Sequence, residues 1–126
     1  MKNIIISICI FSAMCIFIIY ADNKLSSFCY EVTMACDELE KNLDNNQWDI
    51  CYENSLKLHE KINQENHIMS VFMNHQEIDL VSFEVYRLSQ YAKEMEAGDF
   101  LASIHTIKHQ VEKIRDLQKL NLENIF

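Results

Sequence analysis

No proline interrupts this chain, and its only glycine is Gly98. Those two residue types supply most β-turns and sandwich corners, so a β architecture would lack its punctuation here. Both also break or weaken helix interiors, and without them long helices can run. The chain therefore reads as all-α. The expected plan is an N-terminal transmembrane helix followed by an antiparallel bundle of about four helices, arranged as two helical hairpins.

From Ile4 to Ala21 no side chain is charged. About 18 residues rising 1.5 Å each give roughly 27 Å of helix, close to the ~30 Å hydrocarbon core of a bilayer. The stretch from Ile4 to Tyr20, IIISICIFSAMCIFIIY, is thus read as a span through the lipid bilayer. Lys2 and the free amino group precede it, while Asp22 and Lys24 cancel after it. The positive-inside tendency then places the N-terminus in the cytoplasm and the rest outside the cell membrane. A cleaved secretory signal shares the short basic start and apolar core. Its cut would follow Ala21, but Ile19 and Tyr20 depart from a small-x-small site, and the run exceeds the roughly 7–15 residues of a signal core. A single-pass signal-anchor over residues 1–21, with an extracytoplasmic helical domain over 22–126, is the reading these features favour. Ile8 and Met14, before Cys9 and Cys15, lack the small size expected ahead of a lipid-modified cysteine.

Beyond Lys2 the chain carries 10 basic and 19 acidic side chains, a net of −9. That balance opposes nucleic acid and anionic lipid as partners by bulk charge. Five cysteines without a CxxC pair do not form a disulfide framework. Cys29 and Cys36, about 10 Å apart along one helix, are too distant to bridge. Cys36 and Cys51 could meet across a hairpin turning at Asn45.

Apolar residues at steps of three and four mark four helices. Leu25, Phe28, Val32, Ala35, Leu39 and Leu43 stripe the first, which nothing separates from the apolar run. Asn46 is placed to cap the second, with Asp49 facing its amino end. Its stripe is Trp48, Cys51, Ser55, Leu58, Ile62, Met69 and Phe72, with a polar gap over Gln64 to His67. Asn74 caps the third, with Glu77 placed to reach back as in a capping box. Ile78, Val81, Val85, Leu88, Ala92 and Met95 follow, and Gly98 can close that helix in the left-handed conformation. Asp99 is expected to cap the fourth, striped by Leu101, Ile104, Ile107, Val111, Ile114 and Leu117. From Lys119 the end is expected to fray or fold over the bundle. Asn46-Gln47-Trp48 with Cys51 parallels Gly98-Asp99-Phe100 with Ser103, which suggests two matched hairpins. The similarity to tetratricopeptide hairpins stops there, because that family's first-helix Trp and 34-residue period are missing.

Chemistry-bearing residues are sparse. His75, Glu77 and Asp79 form the densest polar group and could sense pH or help hold a metal. The same residues also suit a helix start, as cap and dipole partners. His105 and His109 lie one turn apart, but Thr106 stands where a zinc-protease helix needs Glu. No GxSxG-like turn or Gly-rich phosphate loop occurs. No residue is assigned to catalysis, a cofactor or a metal.

His75-Gln76-Glu77-Ile78-Asp79, Arg87-Leu88, Tyr91 and the terminal Leu120-Asn121-Leu122-Glu123-Asn124-Ile125, behind an N-terminal membrane helix and a Trp-initiated helix, resemble a small membrane-anchored bacterial family of unknown function, domain-of-unknown-function family 4363. The resemblance covers nearly the whole chain and implies a Gram-positive bacterial setting. It supplies no catalytic residues, and it implies a membrane protein neighbour. The terminal Phe126 and the cysteines are not features of that resemblance. The expected function is a binding or accessory module for a membrane protein, with an extracytoplasmic metal or pH sensor as the alternative.

Overall fold

The computed structural model describes residues 1–125, with the side chains of Asn121, Leu122 and Ile125 left aside. Four helices carry the chain: α1 (Lys2–Asp44), α2 (Trp48–Phe72), α3 (His75–Lys93) and α4 (Ala97–Ile125). Among the described residues there is no strand. Each helix lies beside its sequence neighbours, and α1 also lies beside α4, whereas the backbones of the diagonal pairs stay apart and only their side chains share the core. Short connections and this closed ring define an up-down-up-down four-helix bundle.

α1 is one uninterrupted helix of 43 residues. Its residues ahead of Phe17 extend beyond the bundle, with Ile4 65% and Phe11 68% exposed, and Ala21 is its first buried residue. By length and composition α1 can cross a membrane, a test that a signal sequence near an N-terminus also passes. From Leu25 onward the helix turns Phe28, Val32, Cys36 and Leu39 into the core. They meet Leu58 and Ile62 of α2, Val81, Val85 and Leu88 of α3, and Ile104, Ile107 and Val111 of α4. Each such side chain contributes roughly 1.5–3 kcal/mol when fully buried, so the stripe sets the bundle geometry.

The polar gap does not interrupt α2. Ser82 Oγ of α3 donates to Asn63 Oδ1 at 2.7 Å, and Asn66 Nδ2 donates to Asp79 Oδ1 at 3.4 Å. One of these side-chain hydrogen bonds between α2 and α3 lies just ahead of the gap and one within it, and the helix continues past them to Phe72.

The turns differ from several sequence expectations. Asn46 does not cap α2. It takes the left-handed conformation at φ 56°, Gln47 is the N-cap, and the backbone bonds from Asn46 N to Leu43 O and from Gln47 N to Asn42 O close α1. Gly98 does not close α3. Met95, also at φ 56°, does so, with Met95 N donating to Ala92 O and Glu96 N to Tyr91 O. Both hairpins therefore use one left-handed helix cap, which satisfies two otherwise orphaned carbonyls. Met95 is 62% exposed and leaves the apolar stripe, while Gly98 and Asp99 lie inside the first turn of α4, so Asp99 is not its cap. Phe100 takes the core position, leaving Leu101 half-buried and Leu117 exposed. Asn74 does cap α3, its side chain accepting from Gln76 N at 3.0 Å, but the expected capping box does not form: Glu77 N donates to the Asn74 backbone carbonyl, and the Glu77 carboxylate does not return a bond. Nor does the end of α4 fray at Lys119, since the helix runs to Ile125; Phe126 lies outside the described residues.

The matched caps also shift the internal similarity by one helical turn. Cys51 N donates to Gln47 O as Phe100 N donates to Glu96 O, so Phe100 is equivalent to Cys51 and not to Trp48. Trp48 and Phe100 instead pack on each other edge to face, with centroids 5.7 Å apart.

A left-handed methionine carries roughly 1–2 kcal/mol of backbone strain that glycine avoids. Met95→Gly is therefore expected to raise the stability by about 1 kcal/mol after the greater unfolded-state entropy of glycine is subtracted. A thermal melt checks this, and an unchanged or lower midpoint would remove the strain argument.

Candidate functional site

His75, Glu77 and Asp79 stand on the first turns of α3, but the helix separates them. His75 Nε2 lies 3.3 Å from Asp79 Oδ2, one turn away, and both side chains are more than half exposed. Glu77 faces elsewhere, into a cavity of about 210 Å³ walled by Leu25, Phe72, Met73, Ile114 and Leu117. The cluster is thus an exposed pair and a separate carboxylate. An exposed pair of this kind is worth under about 1 kcal/mol, so Asp79→Asn should move the melting midpoint only slightly. A large loss on a thermal melt would mean the pair holds the α2–α3 turn.

His105 and His109 both lie exposed on α4, one turn apart. His105 Nε2 lies 4.0 Å from Glu40 Oε1, at the rim of a cross-helix network the sequence did not reveal. Lys108 of α4 bridges Asp37 and Glu40 of α1, the latter at 3.4 Å. The hydrogen bond to Asp37 is the main cause that raises the Lys108 pKa, with burial opposing it. A second network ties α3 to α4. Ser103 Oγ donates to Glu84 Oε1 at 2.9 Å, Arg87 lies 3.5 Å from Glu84, and Arg87 Nη2 donates to the Tyr91 hydroxyl at 2.8 Å. Its one sequence signal was the spacing of Glu84, Arg87 and Tyr91 at three and four residues, which puts all three on one face. Among the described residues no three His, Cys, Asp or Glu side chains converge as a metal-holding group.

All five cysteines are free thiols, and Cys29, Cys36 and Cys51 are buried. Cys51 Sγ faces the Leu39 carbonyl at 3.9 Å, and Cys29 Sγ faces the Val111 carbonyl at 3.7 Å. Burial pushes the Cys29 thiol up to about 11 and the Cys36 thiol to about 12. Such thiols are packing groups and poor nucleophiles. The unfolded chain releases these protons near pH 9, whereas the folded chain keeps them to about 11 and 12. The folded state then binds more protons, so stability should fall as pH rises from 9 toward 12. Urea melts at pH 8, 9.5 and 10.5 check the sign, and Cys36→Ala should flatten the slope.

The outer surface between α1 and α2 is not closed. An open groove of about 700 Å³ runs beside Tyr30, Met34 and Ala35, rimmed by Glu31, Asp37, Glu38 and Lys41 of α1 and by Lys61 of α2. Tyr30 is 63% and Met34 49% exposed there. Lys61 crosses the upper end to Glu31 at 2.8 Å. The chemistry is apolar side chains beside a rim of mixed charge, in which Glu31 is paired with Lys61 and Asp37 with Lys108.

A family model described as Domain of unknown function (DUF4363) matches residues 19–125. The chain belongs to that family. The match begins inside the apolar run at Ile19 and takes in the whole bundle, so the family unit includes the point at which α1 enters it. The HQEID segment, both interhelical networks and the groove lie within the matched residues. No curated protein and no solved structure matches the chain.

Proposed function

We propose that this DUF4363 member is a single-pass protein of the cell membrane, with its N-terminus in the cytoplasm, whose outer bundle is a binding or accessory module for a membrane protein. The observation that carries this reading is the open groove on α1, because the helix that forms it is the same unbroken helix that includes the apolar run. A groove held on a membrane helix meets neighbours in the same bilayer more often than solutes. Its apolar side chains and mixed-charge rim suit an amphipathic segment. The net of −9 beyond Lys2 disfavours nucleic acid as the occupant.

A photoreactive residue at position 30 or 34, irradiated in intact membranes, tests the reading. The expected product is a discrete adduct with another membrane protein. A chain that stays monomeric and unattached from both positions would remove it.

The sensor reading rests on the two histidine–carboxylate pairs, His75 with Asp79 and His105 with Glu40. Protonation would add a charge beside each carboxylate. Calorimetry of the detergent-solubilised chain with Zn²⁺, Ni²⁺ or Cu²⁺, and melts from pH 5 to 8, separate it from the binding reading. No heat and no pH-dependent shift would end it.

A further inference from the structure

We infer that the segment from Ile68 to Met73, the last turn of α2 and its cap, is seated in the interfacial layer of the bilayer that α1 spans, so that the bundle rests on the lipid surface. This rests on the membrane-span reading of α1. The Phe72 ring packs against Phe17 and Tyr20 of α1, with centroids 5.6 and 5.9 Å away. Phe17 precedes Ala21, the last residue of the uncharged run, by four positions, or about 6 Å of helix rise. The turn therefore lies alongside the end of the apolar run and not beyond it.

Helix length makes the same demand. The part of α1 ahead of this contact, Lys2 to Ile16, is 15 residues, or about 22 Å. The hydrocarbon core is about 30 Å thick, so the free part alone falls short by about 8 Å. A span is completed only when the turn bearing Phe17 and Tyr20 enters the bilayer edge, and Phe72 goes with it. Thinning the bilayer instead costs a fraction of a kcal/mol for each ångström of mismatch.

The turn has the composition for that place. From Asn66 to Gln76 there is no Asp, Glu, Lys or Arg, in a chain in which 24% of residues are charged. Ile68 is 45% and Val71 68% exposed, so neither is used by the core. Apolar side chains with an uncharged polar flank suit a depth of roughly 5–10 Å at the headgroup boundary. Tyr20 stands at the level where interfacial aromatics gather.

The test uses the full chain in phosphatidylcholine vesicles with Trp48→Phe, so that one introduced tryptophan reports. Val71→Trp replaces an exposed side chain and does not disturb the core; Ile68→Trp is a second reporter on the same turn. The expected result is a blue-shifted emission that is lost when the acyl chains are brominated and is shielded from aqueous iodide. Phe11→Trp reports on the span itself. If residue 11 is quenched by brominated lipid while residues 68 and 71 emit as in water, the turn stands clear of the bilayer and the inference is overturned, with the span intact. If residue 11 is not quenched, the span and the inference fall together.

Discussion

Phe100→Ala is expected to lower the unfolding free energy by about 3–5 kcal/mol, the range for deleting a fully buried aromatic ring. Phe100 is 0% exposed, and its ring meets Trp48 edge to face at 5.7 Å. Its removal leaves a cavity where the α1–α2 turn meets the start of α4, and it also forfeits an aromatic pair worth about 0.5–1.5 kcal/mol beyond area. Trp48 is the only tryptophan, so its emission reads the change directly. Urea melts should show an earlier midpoint, with red-shifted native emission. Phe83→Ala is the control, because Phe83 is 66% exposed and a surface change of this kind stays within about 0.5 kcal/mol. Similar losses for the two variants would mean that Phe100 does not organise the bundle.

Asn23→Pro is expected to cost about 3 kcal/mol of helix stability and to uncouple the apolar run from the bundle. Asn23 is exposed and lies just past Ala21 in the middle of α1. The ring would remove the hydrogen bond to the Ile19 carbonyl and clash with it. No side-chain packing is lost, so the effect reports the backbone alone. Lys24, one residue further on, offers a tryptic site inside the junction. In vesicles the native chain should resist cleavage there, because a protease needs the backbone unwound, and the proline variant should be cut. Equal cleavage of both chains at Lys24 would show that α1 is not a continuous rod.

Much of the bundle was legible because its signals are local. Leu25, Phe28, Val32 and Leu39 recur with the helical period and are buried, and Asn74 caps α3 through its own side chain. The turns were less legible, because the residue type that usually takes a left-handed cap was not the one used. Gly98 has the intrinsic freedom but sits in a helix, while the exposed Met95 takes the positive φ in the short connection between two helices that pack on each other. Tertiary contacts outweigh a preference of about 1 kcal/mol. The polar group at the start of α3 was legible as a set of residues but not as a geometry. Helical spacing joins His75 to Asp79, whereas Glu77, two residues on, must face away. The Lys108 bridge to Asp37 and Glu40 joins residues some seventy positions apart, and no local pattern announces such a pair.

The sequence by itself determined that this chain is helical, where its apolar run lies and most of the stripe that each helix buries, Met95, Leu101 and Leu117 excepted, because periodicity, charge and the scarcity of glycine and proline act within one or two turns of chain. Only the tertiary structure decided the ring order of the helices, the open groove beside Tyr30, and the contact of Phe72 with Phe17 and Tyr20. These depend on how long helices align side by side. Residues far apart in the chain become neighbours there through packing alone, and the height of the bundle along α1 is fixed by that packing.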